Sequence, residues 1–232
     1  MNIERIKIHR ERDLFSLLKS HCINGSAVVS EILEEAKSNR DWDVYFELLS
    51  SHVPLNSTSP RHERLRQLKI QRNLLTDEEY WRQVGKACLY NGCSSENDGL
   101  YRELLLSKRT KREKIMLLSE RKTLKSLASK INVYRGFNHP SLANGWSWSL
   151  KEDVAKHYSL NDTCGLITQG LCLKKNVIAY FENGNSYENT QEILIPPEHV
   201  NIISWRNSFS DEVKDGKQIW HPRRTLPKAE EE

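Results

Sequence analysis

Near residue 130 the spacing of apolar residues changes period, and that change constrains the fold more than any other feature of the chain. Before it, apolar side chains recur at helical spacing. They form stripes at Leu14, Phe15, Leu17 and Leu18, at Val28, Val29, Ile32 and Leu33, and from Trp42 to Leu49. A loop over Val53–Pro60 is followed by Leu65, Leu68, Ile70, Leu74 and Leu75. Thr76 and Glu79 have the spacing of a capping box, which opens a helix carrying Tyr80, Trp81, Val84, Ala87 and Cys88 before Asn91-Gly92 stops it. Leu100 to Leu105 and Ile115 to Ile131 predict two more helices. After residue 130 the apolar runs are short, β-rich and punctuated by Gly, Asn and Pro: 131–136, 165–173, 177–181, 192–195 and 200–205. One helix interrupts them, opened by a second box at Ser149 and Glu152. Helices first and strands later predict an α+β fold. The expected organisation is a helical, basic region over 1–130, a mixed or antiparallel β-rich core over 131–222, and a polar tail over 223–232.

Charge follows the same division. The net +4 combines 24 Lys and Arg against 18 Asp and Glu in residues 1–130 with 11 against 13 in the rest. The excess concentrates in Arg61–Arg72 and Lys108–Lys125, which points to a polyanion partner or to solvated helix faces. No apolar run approaches the ~20 residues that a membrane-spanning helix needs. The N-terminus lacks the apolar centre of a signal peptide, so a soluble, cytoplasmic protein with no membrane partner is expected. Five cysteines without a CxxC pair predict reduced thiols, with no disulfide framework and no metal. GxGxxG, P-loop, HExxH and GxSxG motifs are all absent from the sequence.

Three short pieces of the strand-rich half carry the candidate chemistry. In Val133-Tyr134-Arg135-Gly136, a strand-end arginine offers a planar fork to phosphates and the glycine lets a ligand approach the backbone. In Gly145-Trp146-Ser147-Trp148-Ser149, a serine hydroxyl can sit in a pocket walled by tryptophans, while Ser149 caps the following helix. In Gln191-Glu192-Ile193-Leu194, a glutamate opens an apolar strand after the polar turn 182–189 and can project into a cleft. Each piece alone reads first as a solvated arginine, an edge strand or an edge carboxylate.

In this order the three pieces resemble the Arg–Ser–Glu class of ADP-ribosyltransferases, over residues 131–205, and a group of bacterial and phage toxin-like proteins with helices ahead of such a core. The resemblance implies an enzyme that cleaves NAD as co-substrate and transfers ADP-ribose. It implies that Arg135 holds the NAD phosphates and that Gly136, with Tyr134 beside it, holds nicotinamide. Ser147 would shape the pocket and Glu192 would contact the nicotinamide ribose. Breaking the nicotinamide–ribose bond passes through an oxocarbenium-like species, which a carboxylate on the ribose side stabilises.

The turn ahead of Glu192 is where the resemblance places substrate selection, here Tyr187, Thr190 and Gln191. Protein-arginine modifiers of the class carry Glu or Gln two residues before the catalytic glutamate, where this chain has Thr190. That departure and the basic helical region favour a nucleic acid acceptor, RNA or single-stranded, whose bases are exposed and on which Tyr187 can stack. Transfer to protein, NAD hydrolysis and a non-catalytic nucleic-acid or partner-binding role remain the alternatives. A toxin or phage-defence role would bring a neutralising antitoxin protein.

Overall fold

The computed structural model describes residues 25–52, 60–91, 98–137, 142–160, 165–183 and 189–207. Within them the chain is α+β, with seven α-helices and six strands. The helices before the sheet are α1 (Gly25–Ser38), α2 (Trp42–His52), α3 (Pro60–Gln71), α4 (Asp77–Asn91), α5 (Asp98–Leu105) and α6 (Leu118–Ser126). Then follow β1 (Lys130–Phe137), β2 (Ser147–Ser149), α7 (Glu152–Leu160), β3 (Leu166–Leu173), β4 (Ala179–Phe181), β5 (Glu192–Leu194) and β6 (Val200–Asn207). The strands form one antiparallel sheet in the order β4-β5-β2-β1-β3-β6. The first expected apolar stripe, most of the loop after α2 and the polar tail lie outside the described residues.

Local chemistry sets the element ends. At α4 the Thr76 amide donates to Glu79 at 2.7 Å and the Glu79 amide donates back to the Thr76 hydroxyl at 3.3 Å, the reciprocal box expected there. Asp77, Glu78 and Glu79 add negative charge at the positive end of the helix dipole. The single helix expected over Ile115–Ile131 is instead a 3₁₀ turn (Arg112–Ile115), α6 and the start of β1. Leu117 and Leu127, at the two ends of α6, are extended, and beyond them Ile131 and Val133 alternate inward as strand residues. The second box also differs from expectation. The Ser149 hydroxyl accepts from the Lys151 amide at 2.9 Å and donates to the Thr190 carbonyl at 2.7 Å, while Glu152 pairs with Lys156 and Arg206.

The registers assign the two faces of the sheet. Tyr134, Gly136, Ser147, Ser149, Ala179, Phe181, Glu192 and Leu194 share one. Ile131, Val133, Trp148, Cys172, Tyr180 and Ile193 share the other, where they form an apolar core completed by Leu124 and Leu127 at the C-terminal end of α6. On the first face Ala179, Phe181 and Leu194 pack into the larger core with Phe46, Leu65, Leu68, Trp81, Val84 and Leu104 of the helices. One apolar core therefore runs from helices to sheet, and the boundary near residue 130 marks a change of element type within continuous packing. Farther along the same face α7 covers β1 and β3. Between the helical core and α7 the face is polar, and Ser147 and Glu192 lie there.

Glu120, buried at the start of α6, joins the two halves at a second point. Its carboxylate accepts from the Leu117 amide at 2.7 Å and from the Glu182 amide, just beyond β4, at 3.2 Å. Replacing it by alanine strands two donors, each costing about 1–3 kcal/mol if left unsatisfied. Glu120→Ala is expected to lower unfolding free energy in urea by about 2–4 kcal/mol, and Glu120→Gln, which keeps one acceptor, by roughly half as much.

Candidate active site

The sheet opens beside β1. That strand pairs with β3 along all of Lys130–Phe137 but meets β2 at the single pair Tyr134 and Ser149. Beyond this pair the ladder between β1 and β2 ends, and the Arg135 side chain takes its place. Its Nε donates to the Leu142 carbonyl at 2.9 Å and its Nη1 to the Ser147 carbonyl at 2.6 Å. Gly145 makes room for it, because a Cβ there would lie 2.8 Å from the guanidinium carbon. Arg135 leaves β1 from the face opposite Ser147 and Glu192 and reaches toward them across the gap.

Ser147 pairs with Leu194, and Ser149 with Glu192, so Ser147 and Glu192 are diagonal neighbours on one face. The Ser147 hydroxyl donates to Glu192 Oε1 at 2.5 Å, within the range of a charge-assisted bond. Burial pushes the Glu192 carboxyl above its ordinary value, and the Ser147 bond and the Arg135 charge pull in the opposite sense. Desolvation wins. A carboxylate made costly by burial, held by one hydroxyl and facing one guanidinium, is the arrangement expected of a group whose charge is put to use.

The expected site residues divide into those brought together and those not. Arg135, Ser147 and Glu192 converge from three strands that are distant in sequence. Tyr134 is half-buried on the face of Ser149 and Glu192. Gly136, expected from sequence to border a ligand, is here required by packing: a Cβ would lie 1.9 Å from the Ala155 carbonyl, so α7 rests directly on β1. Tyr187 lies outside the described residues. Thr190 is 1% exposed, so its side chain does not reach a surface where an acceptor would lie, and its hydroxyl has no hydrogen-bond partner among the described residues. Gln191 is half-buried, in the left-handed region at φ 48°, with its amide donating to Glu182 O and its carbonyl accepting from Leu150. Asn189, at φ 60°, accepts from the Gln191 side chain at 3.1 Å. Two left-handed residues thus bracket buried Thr190 immediately before Glu192, a local strain held by those bonds.

Two sequence inferences need correction. The tryptophans beside Ser147 do not wall its pocket: Trp146 is buried in the helical core and Trp148 in the core of the opposite face. The basic clusters are also less available than their sequence suggests. Arg64 is buried, Lys69 and Arg72 share Glu103, Arg109 is bonded to Asp77, and Lys111 and Lys114 meet Glu78. Lys108, Lys122 and Lys125 remain exposed. Asp98, Arg102 and Glu198 contribute around Trp146 without having been singled out from sequence; Trp146 next to Ser147 was the available signal. No group of His, Cys, Asp or Glu among the described residues is arranged to hold a metal ion, and no helix among them is long and apolar enough to cross a membrane.

No family model, curated protein or solved structure matches this chain.

The raised Glu192 carboxyl has a consequence for stability. Between the ordinary glutamate value, ~4.3, and the raised folded one, the folded protein holds a proton that the unfolded chain has released. Stability therefore falls as pH rises through that window. Glu192→Gln removes the cost while keeping an acceptor for Ser147. It is expected to melt at higher temperature than the parent at pH 7, with the difference shrinking toward pH 4 in paired thermal melts.

Proposed function

We propose that this protein is a mono-ADP-ribosyltransferase, an enzyme that cleaves NAD and transfers ADP-ribose to a macromolecular acceptor. The observation that carries the reading is the Ser147–Glu192 hydrogen bond beside the Arg135 guanidinium at the opening between β1 and β2. It agrees with the order of the Tyr-Arg-Gly, Ser-Trp-Ser and strand-opening glutamate pieces in the sequence.

The chemistry asks little more of the protein than placement and charge. The bond between nicotinamide nitrogen and ribose C1′ breaks, and its electron pair leaves with nicotinamide, which becomes neutral. C1′ is left with oxocarbenium character, and a nucleophile on the acceptor attacks it and gives its proton to solvent. Glu192 stabilises the positive charge as it develops and holds a ribose hydroxyl. Ser147 fixes one carboxylate oxygen, so the carboxylate meets the ribose in one orientation. Arg135 supplies positive charge for the phosphates, and the backbone at Tyr134 and Gly136 borders the nicotinamide.

Nucleic acid is the favoured acceptor. Position 190 offers no carboxylate to activate an arginine side chain, and exposed Lys108, Lys122 and Lys125 provide positive charge for phosphates. The relation to toxin-like proteins belongs to the same proposal, with an antitoxin as its partner. Incubation with labelled NAD and RNA, DNA or cell protein tests it. Label is expected on RNA or single-stranded DNA, and Glu192→Gln is expected to reduce transfer by about 10²–10³-fold. Label on protein alone would transfer the reading to a protein acceptor; nicotinamide release without label would make the enzyme an NAD glycohydrolase. Intact NAD throughout would leave a non-catalytic binding protein.

The pH dependence follows from the same bond. Activity needs ionised Glu192, so the rate is expected to fall on the acid side as the carboxyl takes up a proton. Ser147→Ala removes a bond that lowers this pKa. Its acid limb is therefore expected at higher pH than that of the parent, measured as kcat for nicotinamide release.

A further inference from the structure

We infer that α5 is a positioning clamp for the Ser147–Glu192 pair, acting through Asp98 and Trp146. The inference rests on the proposed function and adds to it a role for the helical region. α5 lies far from β2 and β5 in sequence, yet it holds the chain where it enters β2 and again where it leaves β5.

The entry point is Trp146, which immediately precedes Ser147. Its indole is buried, and its Nε1 donates to Asp98 Oδ1 at 2.6 Å. Arg102, one turn farther along α5, stacks on the same ring with its guanidinium carbon 5.3 Å from the centroid. The exit point is the turn after β5. Arg102 donates from Nη1 and Nη2 to the two carboxylate oxygens of Glu198, at 2.8 and 3.1 Å, and holds that carboxyl down at about 2. The two points are also tied to each other, since the Ile195 amide donates to the Trp146 carbonyl at 2.9 Å.

Ordinary core packing would need only the ring of Trp146. A buried indole N–H aimed at a carboxylate, with the following residue bonded to Glu192, fixes the rotation of the ring and with it the approach of Ser147. A hydroxyl that must meet one carboxylate oxygen has a narrow range of useful positions, and a misplacement of about 1 Å can cost on the order of 10²-fold in rate. The Arg102–Glu198 pair is exposed and adds little to stability. Asp98 and Trp146 therefore carry the clamp. Asp98 is a positioning residue: it reaches Ser147 through Trp146, and its second contact, 3.7 Å to Arg102 on the same helix, is an exposed ion pair.

The test compares Asp98→Ala with Asp98→Asn, whose amide oxygen still accepts from the indole. Both are assayed at a temperature where circular dichroism shows them folded. For nicotinamide release, Asp98→Ala is expected to lower kcat by about tenfold or more, with the KM for NAD within about twofold of the parent and kcat restored in Asp98→Asn. Full kcat in Asp98→Ala, or equal loss in both variants, would overturn the clamp. If the parent releases no nicotinamide, the proposed function fails, and amide hydrogen exchange then decides the clamp alone. Faster exchange in Asp98→Ala confined to residues 147–149 and 192–194 supports it. Unchanged exchange, or equal acceleration in β3 and β6, refutes it.

Discussion

Burial of Trp146, Phe181 and Leu194 among the helices is the constraint on which the rest of the structure depends. A sheet with one polar strip on an otherwise apolar face needs cover on both sides of that strip. Here the helical region supplies one cover and α7 the other. The covers use different chemistry. The first interlocks large side chains, including buried Trp81 and Phe46, whereas the second brings helix backbone onto β1 at Gly136, where any side chain would collide. Between them Ser147 and Glu192 lie half-buried, with apolar cover on either side. The helices thus help to bound the polar strip.

The strip is costly to the folded state in the way functional sites commonly are. Glu192 carries a desolvation penalty that Ser147 and Arg135 only partly offset, and two non-glycine residues ahead of it sit in the left-handed region. Arg135 shows the same economy of parts. Its guanidinium bridges the opening between β1 and β2 by bonding two backbone carbonyls, so the group proposed to meet phosphates also closes the sheet around them. A substitution there disturbs both roles at once, whereas Glu192 can be neutralised with its shape preserved. Exchanges at Glu192 therefore separate chemistry from architecture more cleanly.

Much of this was legible in the sequence, and the remainder was hidden for physical reasons. The switch from helical to strand periodicity near residue 130 placed the elements, because core-facing residues must repeat every 3.6 or every 2 positions. Short motifs marked Arg135, Ser147 and Glu192, which the sheet order then brought together. The end of the helix before β1 is not legible in the sequence, because Ile131 fits either period. The inward turn of Thr190 was not legible, since it depends on left-handed backbone at Asn189 and Gln191, residues with no glycine to announce it. The fate of the basic residues was hidden as well. Arg64, Arg109 and Lys114 read as surface charge until their partners Glu47, Asp77 and Glu78 are seen beside them.

Glu192 is proposed to act on bound NAD without being needed to hold it. Calorimetric titration of NAD into the parent and into Glu192→Gln, with nicotinamide release followed in the same samples, tests it most directly. Binding is expected in both proteins, with release collapsing in the variant. Absence of binding to the parent, or release by Glu192→Gln at the parental rate, would contradict it.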